Sequence, residues 1–66
     1  MALILNIETS TTVCSVALAQ NGIVISKREN HDEKSHAKTL TIYIDEVLKE
    51  ANVSFNQLDA IAVSKG

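Results

Sequence analysis

Proline is absent from this sequence, glycine occurs twice, at Gly22 and Gly66, and cysteine once, at Cys14. Few positions therefore oblige the chain to break. A single cysteine excludes an internal disulfide, and a lone thiol with no CxxC or Cys/His cluster agrees with a reducing, cytoplasmic setting. Surplus positive charge is also missing: 6 lysines and arginines face 8 acidic residues, for a formal net charge of −2. That balance cannot neutralise a run of phosphates, so strong autonomous binding to nucleic acid is excluded and any role on RNA needs a partner. Long apolar runs are lacking as well. The start, Met1-Ala-Leu-Ile-Leu-Asn6, has no basic leader and is broken by Asn6 and Glu8, too soon for a signal segment or a membrane span. No internal repeat or low-complexity tract is present.

What is there is a chain of 66 residues, 45% of them hydrophobic, which is too apolar for disorder and too short for more than one domain. A domain of this size buries only about 60% of the surface its unfolded chain exposes, so its stability is marginal unless a partner helps. Leu3, Ile4, Leu5 and Ile7 show little alternation, which reads as a strand from Ala2 to Glu8 buried on both faces. After the hydroxyl-rich turn at Thr9 to Thr12, a second strand from Thr12 to Gln20 sets Val16 and Leu18 on one face. Val13, Ser15, Ala17 and Ala19 lie on the other, where small side chains let a helix approach. Asn21-Gly22 signals a type I′ hairpin turn and an antiparallel third strand from Ile23 to Glu29.

Residues Arg28 to Ser35 are polar throughout and read as a loop leaving the sheet. From Ser35 to Ala51 the period becomes helical, and Ala37, Leu40, Ile44, Val47, Leu48 and Ala51 fall in one arc about 100° wide. Ile42 falls on the opposite side, among Lys38, Asp45 and Lys49. Asn52 is the expected helix stop, Ser54 the cap of a short turn at Phe55 to Leu58, and Asp59 to Val63 a final strand apolar on both faces. The order β-β-β-α-β, with the last strand returning parallel to the first, predicts a mixed α/β sheet of order 3-2-1-4. Two strands that look buried on both faces and one substantial helix leave a face without cover. The expectation is an N-terminal portion, residues 1–66, of a longer chain whose remainder supplies it.

For chemistry, the most informative stretch is Glu8-Thr9-Ser10-Thr11-Thr12, which puts a carboxylate at the end of a central strand and hydroxyls and amides in the next turn. Such a turn can wrap a phosphate, and the acid can hold a metal ion through water. Turns rich in serine and threonine are also common for purely local reasons, because their side chains bond nearby backbone. His31 and His36 are spaced so that on a helix they would diverge by about 140°, a poor pair for one metal. Ser35-His36 has no carboxylate to orient a base, and Cys14 lies in an apolar strand, which reads as core packing. Ile42 and Tyr43, together with Thr39 and Glu46, form a candidate interface on the helix.

The stretches Ile7-Glu-Thr-Ser10, Cys14-Ser-Val-Ala-Leu18, Asn21-Gly22, Ser35-His36 and Leu58-Asp-Ala-Ile-Ala-Val-Ser-Lys-Gly66 together resemble the bacterial TsaB (YeaZ) family of tRNA threonylcarbamoyladenosine biosynthesis proteins, over all 66 residues. The resemblance implies part of the first subdomain of an actin-like ATPase (ribonuclease H-like) domain. Two features favour TsaB over its catalytic paralogue TsaD, once described as a glycoprotease. After Glu8-Thr9-Ser10 this chain reads Thr11-Thr12-Val13-Cys14, where TsaD-like proteins usually continue Cys-Asp-Glu-Thr, and it lacks their longer insertion before the helix. No position here matches the metal-binding histidines of TsaD.

What the resemblance implies is a non-catalytic partner of TsaD and the ATPase TsaE, homodimeric when TsaD is absent and touching tRNA only indirectly, with no membrane. Its helix would form the interface, which is where Ile42 and Tyr43 fall. Glu8, Thr9, Ser10, Thr11 and Thr12 would be a vestigial phosphate loop, with no cofactor required and residual ATP, ADP or Mg²⁺ binding confined to the full-length protein. The alternative is an ATP- or metal-dependent enzyme of the same superfold, such as a TsaD-like threonylcarbamoyl transferase. A self-contained small binding module is the third reading.

Overall fold

The computed structural model describes residues 2–10, 13–31 and 36–65. In chain order they form β1 (Leu3–Thr9), β2 (Cys14–Gln20), β3 (Ile23–Asn30), α1 (His36–Glu50), a single 3₁₀ turn (Phe55–Gln57) and β4 (Ala60–Lys65). The sheet has 4 strands in the order β3-β2-β1-β4, with β4 parallel to β1 and the other pairs antiparallel. This is the mixed α/β arrangement and strand order that the residues predict.

The turns explain the order. Asn21 and Gly22 hold φ values of +54° and +83°, the two positive angles a two-residue hairpin of right-handed twist requires. The Asn21 amide donates to Ala2 O at 2.8 Å, and Ala2 N donates to Asn21 Oδ1 at 3.1 Å, so the turn also clasps the start of β1. At the same end, Leu3 N donates to Asp59 Oδ2 at 2.7 Å and the Asp59 amide to Leu3 O at 2.8 Å. These bonds set the point at which β4 joins β1.

Helix α1 stops where expected. Asn52 sits at φ +58°, its amide bonds Lys49 O at 3.1 Å, and the Val53 amide reaches back to Leu48 O at 2.9 Å. That pair of bonds satisfies the last carbonyls of the helix and folds Val53 onto the core. In the following turn, Ser54 N donates to the Gln57 side chain at 2.7 Å, the reciprocal half of a capping box.

Leu3, Leu5, Val16, Leu18, Val47 and Leu48 form the core, with Leu40, Ile44 and Ala51 packed against it, so the helical stripe faces the sheet as its period predicts. Helix α1 packs chiefly on β2 and β3. Three expectations are corrected here. The first strand is buried on one face: Leu3 and Leu5 are covered, while Asn6 and Glu8 are exposed. In β4, Ile61 is 46% exposed and Val63 62%, because α1 does not extend over that edge. The helix also lies on the Val16 and Leu18 side of β2, not on the side of Ser15, Ala17 and Ala19. Leucine and valine offer more apolar area to remove from water than alanine and serine do, and that difference decides the face.

Candidate functional site

The open side of the sheet is built by register. Glu8 of β1 stands opposite Ser15 of β2 and Ser64 of β4, and Asn6 stands opposite Ala17 and Ala62. On β3, Lys27 pairs with Ala17 and Glu29 with Ser15. Side chains directly opposite one another share a face, so a row of Glu29, Ser15, Glu8 and Ser64 runs beside a row of Lys27, Ala17, Asn6 and Ala62. Between them lies an open cleft of about 290 Å³ with a floor of small residues. Its polar groups are one carboxylate, one ammonium, one amide and two hydroxyls. They can accept and donate hydrogen bonds to a polar ligand, and the sequence singled out only Glu8 among them. The Asn21-Gly22 turn by itself would set Lys27 opposite Val16 on the helix side, and the register shift between Leu18 and Ala19 is what brings it opposite Ala17 and onto this face, which the sequence pattern does not declare.

The turn between β1 and β2 is closed at its base. Ser10 N donates to Val13 O at 2.8 Å, and Val13 N donates to Ser10 Oγ at 3.1 Å. The Ser10 amide and hydroxyl thus have partners within the turn, as an ordinary serine turn requires. Glu8 and Thr9 point to opposite faces of β1, Glu8 into the open cleft. Thr11 and Thr12, the remaining members of the expected phosphate loop, lie outside the described residues, as does Ser35.

On the covered side, Arg28 bridges β3 to α1. Its Nη2 reaches Glu50 Oε2 at 2.7 Å, its Nε lies 3.5 Å from Glu46 Oε1, and its Nη1 donates to Lys27 O at 2.8 Å. The buried Ser26 hydroxyl donates to Glu50 Oε1 at 2.9 Å. The hydrogen bond from Arg28 and then that from Ser26 hold the Glu50 carboxyl below its ordinary value. Neither Arg28 nor this clamp was singled out by the sequence. His31 is exposed beside Glu29, with Nε2 at 3.1 Å from Oε1. Cys14 is fully buried, and burial pushes its thiol up, as a packing cysteine behaves. Among the described residues, no cluster of three or more His, Cys, Asp or Glu side chains is placed to hold a metal ion.

The four helix residues named as an interface separate. Ile42 is 49% exposed on the outer side of α1, near the surface pair of Lys49 and Asp45 at 2.9 Å. Tyr43 is half-buried against the core, Thr39 is half-buried, and Glu46 is drawn towards Arg28.

A mixed sheet of order β3-β2-β1-β4, crossed by one helix between β3 and β4, is part of an actin-like fold. Sequence comparison carries the assignment further. The profile of the family described as TsaD, tRNA N6-adenosine threonylcarbamoyltransferase, matches residues 15–66, and the chain belongs to that family. Its relatives include proteins titled tRNA N6-adenosine threonylcarbamoyltransferase from Bacillus anthracis, 36% identical over 97% of this chain and 23% of the relative. One from Staphylococcus haemolyticus is 39% identical over the same shares. These alignments run to 80 residues although the chain has 66, so the relatives carry additional residues within the matched stretch. The chain is also similar to the solved structure of YeaZ from Pseudomonas aeruginosa, with a TM-score of 0.88 and 35% identity over 100% of this chain and 30% of that one. The chain thus spans roughly a quarter of the length of its curated relatives.

Proposed function

We propose that this chain contributes the first part of a TsaB-like partner subunit in the making of N6-threonylcarbamoyladenosine in tRNA, supporting a TsaD-type transferase through α1 and not carrying out the transfer itself. The observation that carries this reading is the likeness to YeaZ over the whole chain. The additional residues that the transferase-titled relatives carry within the aligned stretch agree with it. In this reading residues 1–66 belong to the first actin-like subdomain, the working compartment is the cytoplasm, and TsaD and TsaE are the partners. A homodimer forms when TsaD is absent, and tRNA is reached through the complex. No described helix is long and apolar enough to cross a membrane.

The loop Glu8 to Thr12 is vestigial in this reading, and residual ATP, ADP or Mg²⁺ binding belongs to the full-length protein. The second reading, a TsaD-like threonylcarbamoyl transferase, is favoured by the family profile and by the titles of the curated relatives.

Co-purification of the protein with TsaD, followed by assay of modified tRNA with and without it, separates the two. Under the partner reading, modification depends on both proteins, and Ile42→Lys weakens their association while leaving the circular dichroism of the protein unchanged. Modification that proceeds equally well without the protein refutes the partner reading. Transfer by the protein in the absence of TsaD establishes the second.

A further inference from the structure

Helix α1 is tied to β3 by the Arg28 clamp, and the irregularity in the sheet is what builds it. The Asn21-Gly22 turn alone would set Ile25 opposite Leu18, on the α1 side. The register shift leaves Ile25 out of the ladder and sets Ser26 opposite Leu18 and Arg28 opposite Val16. Ile25 is consequently 41% exposed, and Ser26 is the one buried polar side chain among the described residues. Exchanging an isoleucine for a serine against Leu18 forfeits apolar burial, and re-aiming a side chain is a usual task of a bulge. What the exchange supplies is directional bonding. The two Glu50 oxygens are held separately, Oε1 by the Ser26 hydroxyl at 2.9 Å and Oε2 by Arg28 Nη2 at 2.7 Å. Arg28 Nε lies 3.5 Å from Glu46 Oε1, about one turn back along α1. Ion pairs as exposed as these add little stability, so the gain lies in geometry.

We propose that Ser26 and Arg28 are positioning residues, which fix the roll of α1 about its own axis and so the place of Ile42. The proposal rests on the reading of α1 as the face that meets TsaD. Elsewhere α1 meets the sheet through Leu40, Ile44, Val47 and Leu48, and apolar contact of that kind is non-directional. Glu50, Glu46 and Ile42 stand four residues apart on one flank of α1, each about 40° further round the axis from the sheet. Glu50 is pinned, and Ile42 is outermost, about two turns away. On a helix of about 5–6 Å radius, a roll of about 20° carries the Ile42 side chain about 2 Å. Binding constellations need their members held to about 0.5 Å, so an unpinned helix presents Ile42 in the right place only part of the time. Every member of the clamp belongs to β3 or α1, so its geometry does not depend on what adjoins β4.

Threonine and valine exchange a hydroxyl for a methyl at nearly equal volume, so the pair at position 26 isolates the bond to Glu50 from packing. The test is the affinity of the full-length protein for TsaD, by titration calorimetry, for wild type, Ser26→Thr and Ser26→Val, each also combined with Ile42→Ala. Ser26→Thr should bind as wild type does, and Ser26→Val about three- to tenfold more weakly. In the Ile42→Ala background that difference should shrink to within about twofold, because the clamp acts through Ile42. Arg28→Lys keeps the charge but loses the forked reach to Glu46 and Glu50, so it should behave as Ser26→Val does and takes its place if valine unfolds the protein. Clamp variants that bind as tightly as wild type, while Ile42→Lys still weakens binding, overturn the proposal and leave the interface reading standing. A threonine–valine difference undiminished by Ile42→Ala also overturns it, by showing that the clamp acts elsewhere. Wild-type binding that is absent, or indifferent to Ile42→Lys, refutes the interface reading and the proposal together.

Discussion

Truncating Leu18 to alanine tests whether the core is single-sided. Leu18 is fully buried between Leu5 and Ser26 in the sheet register, beneath the helix side that carries Val47 and Leu48. Removing a buried leucine side chain typically costs about 3 kcal/mol, part lost transfer energy and part unfilled cavity. A chain of 66 residues has roughly 3 to 10 kcal/mol of stability to lose. The truncation thus removes between a third and nearly all of it. With an unfolding entropy proportional to length, 3 kcal/mol corresponds to a fall in the thermal midpoint of about 20 °C.

The matching control is Ile42→Ala, at a helix position 49% exposed, where the change is within about 0.5 kcal/mol, or a few degrees. Thermal and urea melts followed by circular dichroism, at a dilution where the chain is monomeric, measure both. If Leu18→Ala shifts the midpoint no further than Ile42→Ala, the assignment of the core to the α1 side of the sheet is wrong. A large loss on truncating Ile42 would refute it equally, because it would show that the outer face of α1 is buried in the isolated chain.

Single residues carry two more tests. Gly22→Ala finds no atom within 4 Å of the added methyl, so only the φ of +83° opposes it, and the expected cost is about 1 kcal/mol by urea melts; no cost would mean that the turn relaxes away from type I′. Glu50 is held below its ordinary value by Arg28 and Ser26, so its contribution is fully present above the ordinary glutamate range and is lost as pH falls through the depressed folded value. Wild-type stability should therefore fall more steeply on acidification than that of Glu50→Gln, and parallel acid titrations of the two would refute the clamp.

The strand order and the helical stripe were legible because they depend on local chemistry. Asn21-Gly22 dictates a hairpin from backbone sterics alone, and the spacing of Leu40, Ile44, Val47 and Leu48 dictates which side of α1 is buried. The Arg28 clamp was not legible. A long side chain's partners depend on how α1 lies over β3, and nothing in the spacing of Arg28, Glu46 and Glu50 declares it. Tyr43 was misleading for a related reason, since its ring can lie along the edge of the core while its hydroxyl stays near water.

The face chosen by α1 shows why apolar content and burial are different quantities. On β2, Ala17 and Ala19 are as apolar in kind as Val16 and Leu18, and their small size suggested the closer approach of a helix. Burial energy scales with the area withdrawn from water, and alanine has little to withdraw. Placing α1 over Leu5, Val16 and Leu18 covers the larger apolar surface and leaves Ala17, Ala62, Ser15 and Ser64 open at small cost. Strand β4 is the exception by the same physics. Its Ile61 and Val63 have area worth burying and lie on the favoured side, yet α1 rests on β2 and β3 and does not reach them.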